Sequence, residues 1–357
     1  MTSTVAIPES LDELLTPKWL NLALSTRFPG VHVTRVTPGP VVERVSTNAR
    51  FHIEGDLPDG LPPALCAKGY FSAVGRGSAH AGVPETMFYR DLADATGVRT
   101  LNRVWADIDP VSSHGVVITE DVVEAGGVFC DALDPCTVDR TAETLEQFAL
   151  LHAYAWEDAR LAESSWLNPR LAWILQVRGI KEISANFDGP NGAGVPDGTR
   201  DPQGLIDAYG HLASRAPGPG WAVAHGDAHV GNTFLDGDGR PGLLDWQVTQ
   251  YGPWGIDVGY HIASALEPDV RAENEGELLR HYLGALTAAG VTNAPSFDEA
   301  WNEYRCGLVH GFFLWGITQY VQPDIIAALL HRLGTAASEL ESYQALRDLS
   351  ARETTDS

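Results

Sequence analysis

Residues 225–247 read HGDAHVGNTFLDGDGRPGLLDWQ, directly after WAVA at 221–224. WAVA reads as a short strand that enters a polar loop. NTFLD and GLLDW read as two further short strands joined by GDGRP, whose Gly, Asp and Pro residues favour a turn. Such a hairpin would bring Asp227, Asn232 and Asp245 close together, because the loop precedes the first strand and Asp245 ends the second. Asn232 and Asp245 offer hard oxygen atoms of the kind Mg²⁺ takes, in a site completed by water and phosphate oxygens. Asp227 is left to accept a proton from an attacking hydroxyl. His225 and His229 flank it, and as metal ligands they would point instead to a hydrolase. Such sites usually recruit further His and Asp from other strand ends. The other histidines of the chain's 12 are dispersed, without HxH or HExxH pairs.

The chain has 357 residues, enough for two domains that each bury a core. Hydrophobic residues make up 44% and charged residues 20%, as in a soluble globular protein. A formal net charge of −23 argues against nucleic acid and anionic membrane as partners, since both call for surplus Lys and Arg. It is compatible with a cationic substrate, although an acidic solvated surface explains it as well. Cys66, Cys130, Cys136 and Cys306 lack CxxC spacing, which suggests free thiols in a reducing cytoplasm. MTSTVAIPESLDELL has no basic segment followed by an apolar one, so no signal peptide is expected. The most apolar stretch, CGLVHGFFLWGITQYV (306–321), is too short for a membrane span and reads as a buried helix.

Two capping signals open the chain: Ser10 with Glu13, then Thr16 with Pro17. From about 30 to 122, HVTRVTPGP, ARFHIEG, LCAKGYF and GVVITEDV read as short strands. VPETMFYRDLADAT (83–96) interrupts them as a helix, with Met87, Phe88, Leu92 and Ala95 on one face. From about 138 the texture is mostly helical, with amphipathic runs at 141–156, 203–215, 257–267, 276–289, 296–321 and 324–349. Residues 178–202 are rich in Gly, Pro and Asp and read as a loop or mobile insert, a candidate substrate lid. SARETTDS (350–357) reads as a frayed tail.

An aspartate in a loop, an asparagine five residues later and an aspartate on the next hairpin divide the labour of phosphoryl transfer. Here DWQ stands where DFG is usual. The stretch HGDAHVGN resembles the HGDxHxxN motif of the aminoglycoside phosphotransferase and choline kinase superfamily. LTPKWL, ETMFYRDL and LLDWQVTQYGPWGIDVGYHIA are similar to its ecdysteroid-kinase-like branch. The resemblance spans roughly residues 10 to 345 and is most specific around 225–257.

The resemblance implies a bilobal, protein-kinase-like α+β fold. Residues 1–122 would form a small nucleotide-binding lobe with a five-stranded antiparallel sheet and a helix. Residues 123–357 would form a larger helical lobe. ATP with Mg²⁺ would bind in the cleft, with Asp227 as base and Asn232 and Asp245 as metal ligands. It also asks for a strand lysine on the phosphates, paired with a glutamate on the inserted helix. The chain has only three lysines, and Lys68 falls at the end of the third strand, followed by Glu85 at the start of the helix. A compact ammonium suits two phosphates better than a bulky guanidinium does. GVVITEDV resembles the hinge that binds adenine through backbone groups near Glu120 and Val122. The loop VVERVSTNARF (41–51) lacks GxGxxG, and Ser46, Thr47 and Asn48 either donate to phosphate or simply form a turn. His225 and His229 then look structural, as does Asp257, which would cap its helix and brace the loop. Trp246 packs in the hairpin.

The expected activity is a cytoplasmic small-molecule O-phosphotransferase acting on a neutral or hydrophobic alcohol. Eight of the ten tryptophans follow residue 150, and Trp156, Trp166, Trp254 and Trp315 are candidates for an apolar pocket or for the core. A cationic acceptor of aminoglycoside or choline type and a non-catalytic binder on a kinase scaffold are the alternatives. Oligomeric state is not readable.

Overall fold

The computed structural model describes residues 5–134 and 136–355. The chain divides into two compact units. One comprises residues up to Val128 together with Leu235–Gln247; the other comprises Phe129–Phe234 and the chain from Val248 onward.

The first unit is built on five strands: β1 (His32–Glu43), β2 (Thr47–Asp56), β3 (Ala64–Gly69), β4 (Arg103–Ile108) and β5 (Gly115–Glu120). They pair antiparallel in the order β1-β2-β3-β5-β4. Alternation decides which residues face which side. Leu65 and Ala67 of β3 are buried, as are Ala49, Phe51 and Ile53 of β2. Trp19, Leu20 and Leu24 cover that face, and Trp19 meets Trp105 edge-on with ring centroids 5.2 Å apart. Their helix, Pro17–Leu24, starts as expected: the Thr16 hydroxyl accepts from Trp19 N–H at 3.2 Å and Pro17 fills its first turn. Lys68, one position on from Ala67, therefore points to the opposite side.

The segment 83–96 is helical, with a π turn at Phe88–Leu92. Phe88 and Leu92 are buried as expected, but Ala95 is exposed and Ala93 and Thr96 are buried instead. The extra residue in the π turn rotates everything after it, which a fixed 3.6-residue period does not foresee. Residues 236–247 belong to this unit. Asp236 and Arg240 close their turn, and Leu243 N–H donates to Arg99 O at 2.8 Å.

The second unit is mainly helical. Within it the strand Trp221–Ala224 pairs antiparallel with Gln250–Pro253. Helix Gly255–Ala265 is buried at every position, because other helices surround it. Helix Phe297–Ile317 packs against it most extensively. Gly311 allows the approach: a Cβ there would lie 2.2 Å from the Tyr260 ring.

Two segments differ from the sequence expectation. Within 178–202 the chain forms helix Ile180–Phe187, with Ile183, Asn186 and Phe187 buried. Asn186 Nδ2 donates to the carbonyls of Gly316 and Thr318, at 2.8 and 2.9 Å. Phe187 stacks on Phe312 at 5.6 Å. The segment is thus anchored to the core rather than a loose insert. The expected tail is helical as far as Thr355, in Ser342–Thr355, and Asp356 and Ser357 lie outside the described residues. Among the described residues no helix is long and apolar enough to cross a membrane.

Candidate active site

In the first unit a charged cluster forms around Lys68. Its ammonium lies 2.8 Å from Glu85 Oε2 and 3.2 Å from Asp245 Oδ1. Burial alone would pull the Lys68 pKa down, but the Asp245 and Glu85 carboxylates outweigh it and raise it above its ordinary value. Burial pushes the Glu85 carboxyl up, and the Lys68 ammonium opposes that. The Glu85 side chain is 6% exposed and that of Asp245 36%, so Glu85 is a buried support and Asp245 remains open to a ligand.

Asp245 is held in an unusual backbone conformation, with φ at 64°. Its neighbours show how. Trp246 N–H donates to Glu85, the Trp246 ring stacks on Phe88 at 3.5 Å, and its Nε1 donates to Thr100 at 3.0 Å. Gln247 Nε2 donates to the Tyr70 hydroxyl at 3.2 Å. Trp246 is thus a packing residue that pins the turn. The expected strand GLLDW is shorter than foreseen and ends at Leu243, before that turn.

Three other candidates sit along the same sheet. Asn48 of β2 is the register partner of Lys68. Ser46 lies in the β1–β2 turn, where its carbonyl accepts from Arg44 N–H at 2.9 Å. Thr47 is buried, which leaves Ser46 and Asn48 the more accessible donors. At the end of β5, Glu120 accepts from Asn102 Nδ2 at 3.1 Å. The Val122 carbonyl accepts from Gly127 N–H at 2.7 Å.

In the second unit the loop after Ala224 is pinned almost atom by atom. His225 N–H and Gly226 N–H donate to Asp257, at 2.6 and 2.8 Å. Asp227 N–H donates to His225 Nδ1 at 3.2 Å. The carbonyls of Gly226 and Ala228 accept from His310 Nε2 and His261 Nδ1, at 2.7 and 2.9 Å. Gly226 has φ at 80°, and a Cβ there would strike Val248 O at 2.4 Å, so only glycine fits. Burial would push the Asp257 carboxyl up, but its bonds to His152 and the loop hold it below the ordinary value. Asp257 lies inside the first turn of its helix, where Trp254 is the flanking residue, so it braces the loop without being the cap. Burial lowers His261 to about 4 and also lowers His310, so both imidazoles are neutral donors.

This scaffold presents Asp227. Its Oδ2 accepts from Asn232 Nδ2 at 3.0 Å and its Oδ1 from the Tyr260 hydroxyl at 3.1 Å. The asparagine's nitrogen is spent on Asp227, which leaves its Oδ1 as the atom for a cation. Asn232 Oδ1 is a hard oxygen atom of the kind a divalent cation takes, and within the first unit the Asp245 carboxylate offers the same chemistry. His229 Nδ1 accepts from Gly231 N–H at 3.1 Å, and its Nε2 lies 3.8 Å from Asp227. Among the described residues no group of three or more His, Cys, Asp and Glu is arranged to hold a metal.

The sequence places Trp315 in an apolar pocket or the core and does not tie Tyr260, His152, His261 or His310 to the loop; all five come from helices and act on the loop only once the fold is made. Trp315 Nε1 donates to the Tyr260 hydroxyl, 2.5 Å away. Trp156 and Trp254 line a pocket of about 440 Å³ with Glu157, Glu299 and Glu303. It opens at the Gly220 end of strand Trp221–Ala224, whereas Asp227 follows the other end. It is acidic rather than apolar.

Residues 201–290 match the ecdysteroid kinase-like family. A stretch of 81 residues is 30% identical to methylthioribose kinase from Bacillus pumilus, covering 23% of this chain and 20% of that protein's length. Among solved structures, choline kinase from Cryptosporidium parvum is similar with a TM-score of 0.51 at 10% identity, covering 92% of this chain and 94% of that one. A choline/ethanolamine kinase family protein from Mesorhizobium loti has a TM-score of 0.46 at 16% identity, covering 87% and 92%. The likeness to the choline kinase is one of fold. The chain therefore has a protein-kinase-like α+β fold, and through residues 201–290 it resembles ecdysteroid kinase-like proteins, as its HGDAHVGN motif led us to expect.

Proposed function

We propose that this chain is a small-molecule O-phosphotransferase that moves the γ-phosphoryl group of ATP to a hydroxyl. The observation that carries this reading is Lys68, held 2.8 Å from Glu85 and 3.2 Å from Asp245. Phosphoryl transfer asks for such a lysine, its positioning carboxylate and a metal-binding aspartate, and little covalent work from the protein.

In this reading Asp227 orients the acceptor hydroxyl and takes its proton as the oxygen bonds to the γ-phosphorus. The bond from that phosphorus to the β-γ bridging oxygen breaks, and ADP leaves. Lys68, set by Glu85, neutralises phosphate oxygens. Ser46, Thr47 and Asn48 supply polar donors from β1–β2, and backbone groups at Glu120 and Val122 meet the adenine edge. Asn232 and Asp245 would hold Mg²⁺, which would supply charge neutralisation on the phosphates.

The acceptor is a neutral, partly hydrophobic alcohol. Trp173, Val177, Ile180 and Tyr320 support this, being large apolar side chains left exposed in the helical unit. Tyr320 follows the helix that carries Trp315, whose indole reaches Asp227 through Tyr260. A cationic acceptor is the second reading, favoured by the net charge of −23. The free cysteines among the described residues agree with a reducing cytoplasm.

The test is ATP consumption with Mg²⁺ against aminoglycosides, choline, macrolides, sterols and sugars. Turnover with a sterol or macrolide supports the neutral-alcohol reading, and turnover with choline or an aminoglycoside replaces it with the cationic one. Nucleotide binding without turnover on any class would favour a binder, and no nucleotide binding would overturn the kinase reading.

A further inference from the structure

We propose that Tyr260 is a positioning residue for Asp227, acting through a hydrogen-bond chain that begins at Trp315. The inference rests on the phosphotransferase reading above. An indole N–H can only donate. Trp315 Nε1, 2.5 Å from the Tyr260 oxygen, therefore makes that oxygen an acceptor. The phenol has one proton, and Asp227 Oδ1 lies 3.1 Å away to receive it. The chain thus has one direction: Trp315 to Tyr260 to Asp227.

Several features show that the arrangement is built rather than incidental. Tyr260 is 0% exposed and Trp315 6%, so water does not compete for these bonds. Gly311 leaves the space that the Tyr260 ring fills. Burial, and then the charge of Asp227, push the Tyr260 phenol well above its ordinary pKa, so it remains a donor. Asn232 holds the other carboxylate oxygen at 3.0 Å. With one neutral donor on each oxygen, the plane of the carboxylate is fixed and its remaining lone pairs are aimed for an incoming hydroxyl. Misplacing a reacting group by about 1 Å costs on the order of 100-fold in rate. Neither Tyr260 nor Trp315 needs to touch the substrate for this to matter.

The experiment compares kcat, both KM values and the melting temperature for wild type, Asp227→Ala, Tyr260→Phe, Trp315→Phe and the Tyr260→Phe/Trp315→Phe double variant. Tyr260→Phe is expected to lower kcat about tenfold while leaving the KM for ATP unchanged. Trp315→Phe should lower kcat by a smaller factor. The double variant should be no slower than Tyr260→Phe alone, because the indole then has nothing to orient. A Tyr260→Phe enzyme within about twofold of wild-type kcat, or losses in the double variant that multiply, would overturn the inference while the kinase reading stands. Turnover that survives Asp227→Ala would overturn both.

Discussion

The two units hold their candidate groups by opposite means. In the first, charge does the holding: an ammonium sits between two carboxylates, and one of those carboxylates has a left-handed backbone. In the second, Asp227 is held by neutral donors, and its loop hangs from two neutral imidazoles and one buried aspartate. Charged clusters announce themselves through residue type, and neutral scaffolds do not. They should also fail differently, the first when a charge is removed and the second when a proton is added.

Removing the charge at Lys68 is the stronger way to break the comparison. Lys68→Met leaves the Glu85 and Asp245 carboxylates facing each other without a cation. Turnover should fall about 100-fold, and folding stability by roughly 3 kcal/mol. Denaturant melts and kinetics would check both. Adding Glu85→Gln should recover part of the stability and none of the rate.

Acid should act on the second unit instead. Burial sets the folded pKa of His261 to about 4, from an ordinary 6.5. Below 6.5 the unfolded chain binds a proton that the folded chain refuses, so stability rises with pH across that window. The contribution is complete above 6.5 and is lost as pH falls toward 4. The loss is roughly 3 kcal/mol, which denaturant midpoints between pH 7 and 4 would measure. His261→Gln should flatten this part of the profile.

The smallest effect is expected at Trp246. Trp246→Phe keeps a ring to stack on Phe88 but loses the N–H that Thr100 accepts. The cost should be about 1 kcal/mol, with turnover almost unchanged. A large loss of turnover would mean that the indole contacts the nucleotide and does more than pack.

What the sequence made legible follows the same division. Lys68 stood out because lysine is rare in this chain, and the sheet places it beside Glu85 because β3 alternates and the following helix starts over its polar side. Asp227 and Asn232 share a loop short enough for spacing alone to bring them together. Most helical spans of the second unit were visible from their periodicity, but the expected run 324–349 is two helices, Pro323–Glu339 and Ser342–Thr355, and Leu171–Val177 was not foreseen. Nor was the helix Ile180–Phe187, although Ile183 and Phe187 are four residues apart. The neighbouring Gly, Pro and Asp residues masked that signal, and its stability comes from packing on Phe312 and the end of helix Phe297–Ile317. The π turn in 83–96 and the partners His261, His310, Tyr260 and Trp315 depend on contacts between segments far apart in sequence, which periodicity does not encode.

The most direct measurement is the mass of an acceptor after incubation with Mg²⁺ and ATP, using wild type beside Asp227→Ala. A gain of one phosphoryl group with wild type, absent with Asp227→Ala while the variant still binds ATP, is the expected result. Equal phosphorylation by both proteins, or a variant that no longer binds nucleotide, would contradict the role given to Asp227.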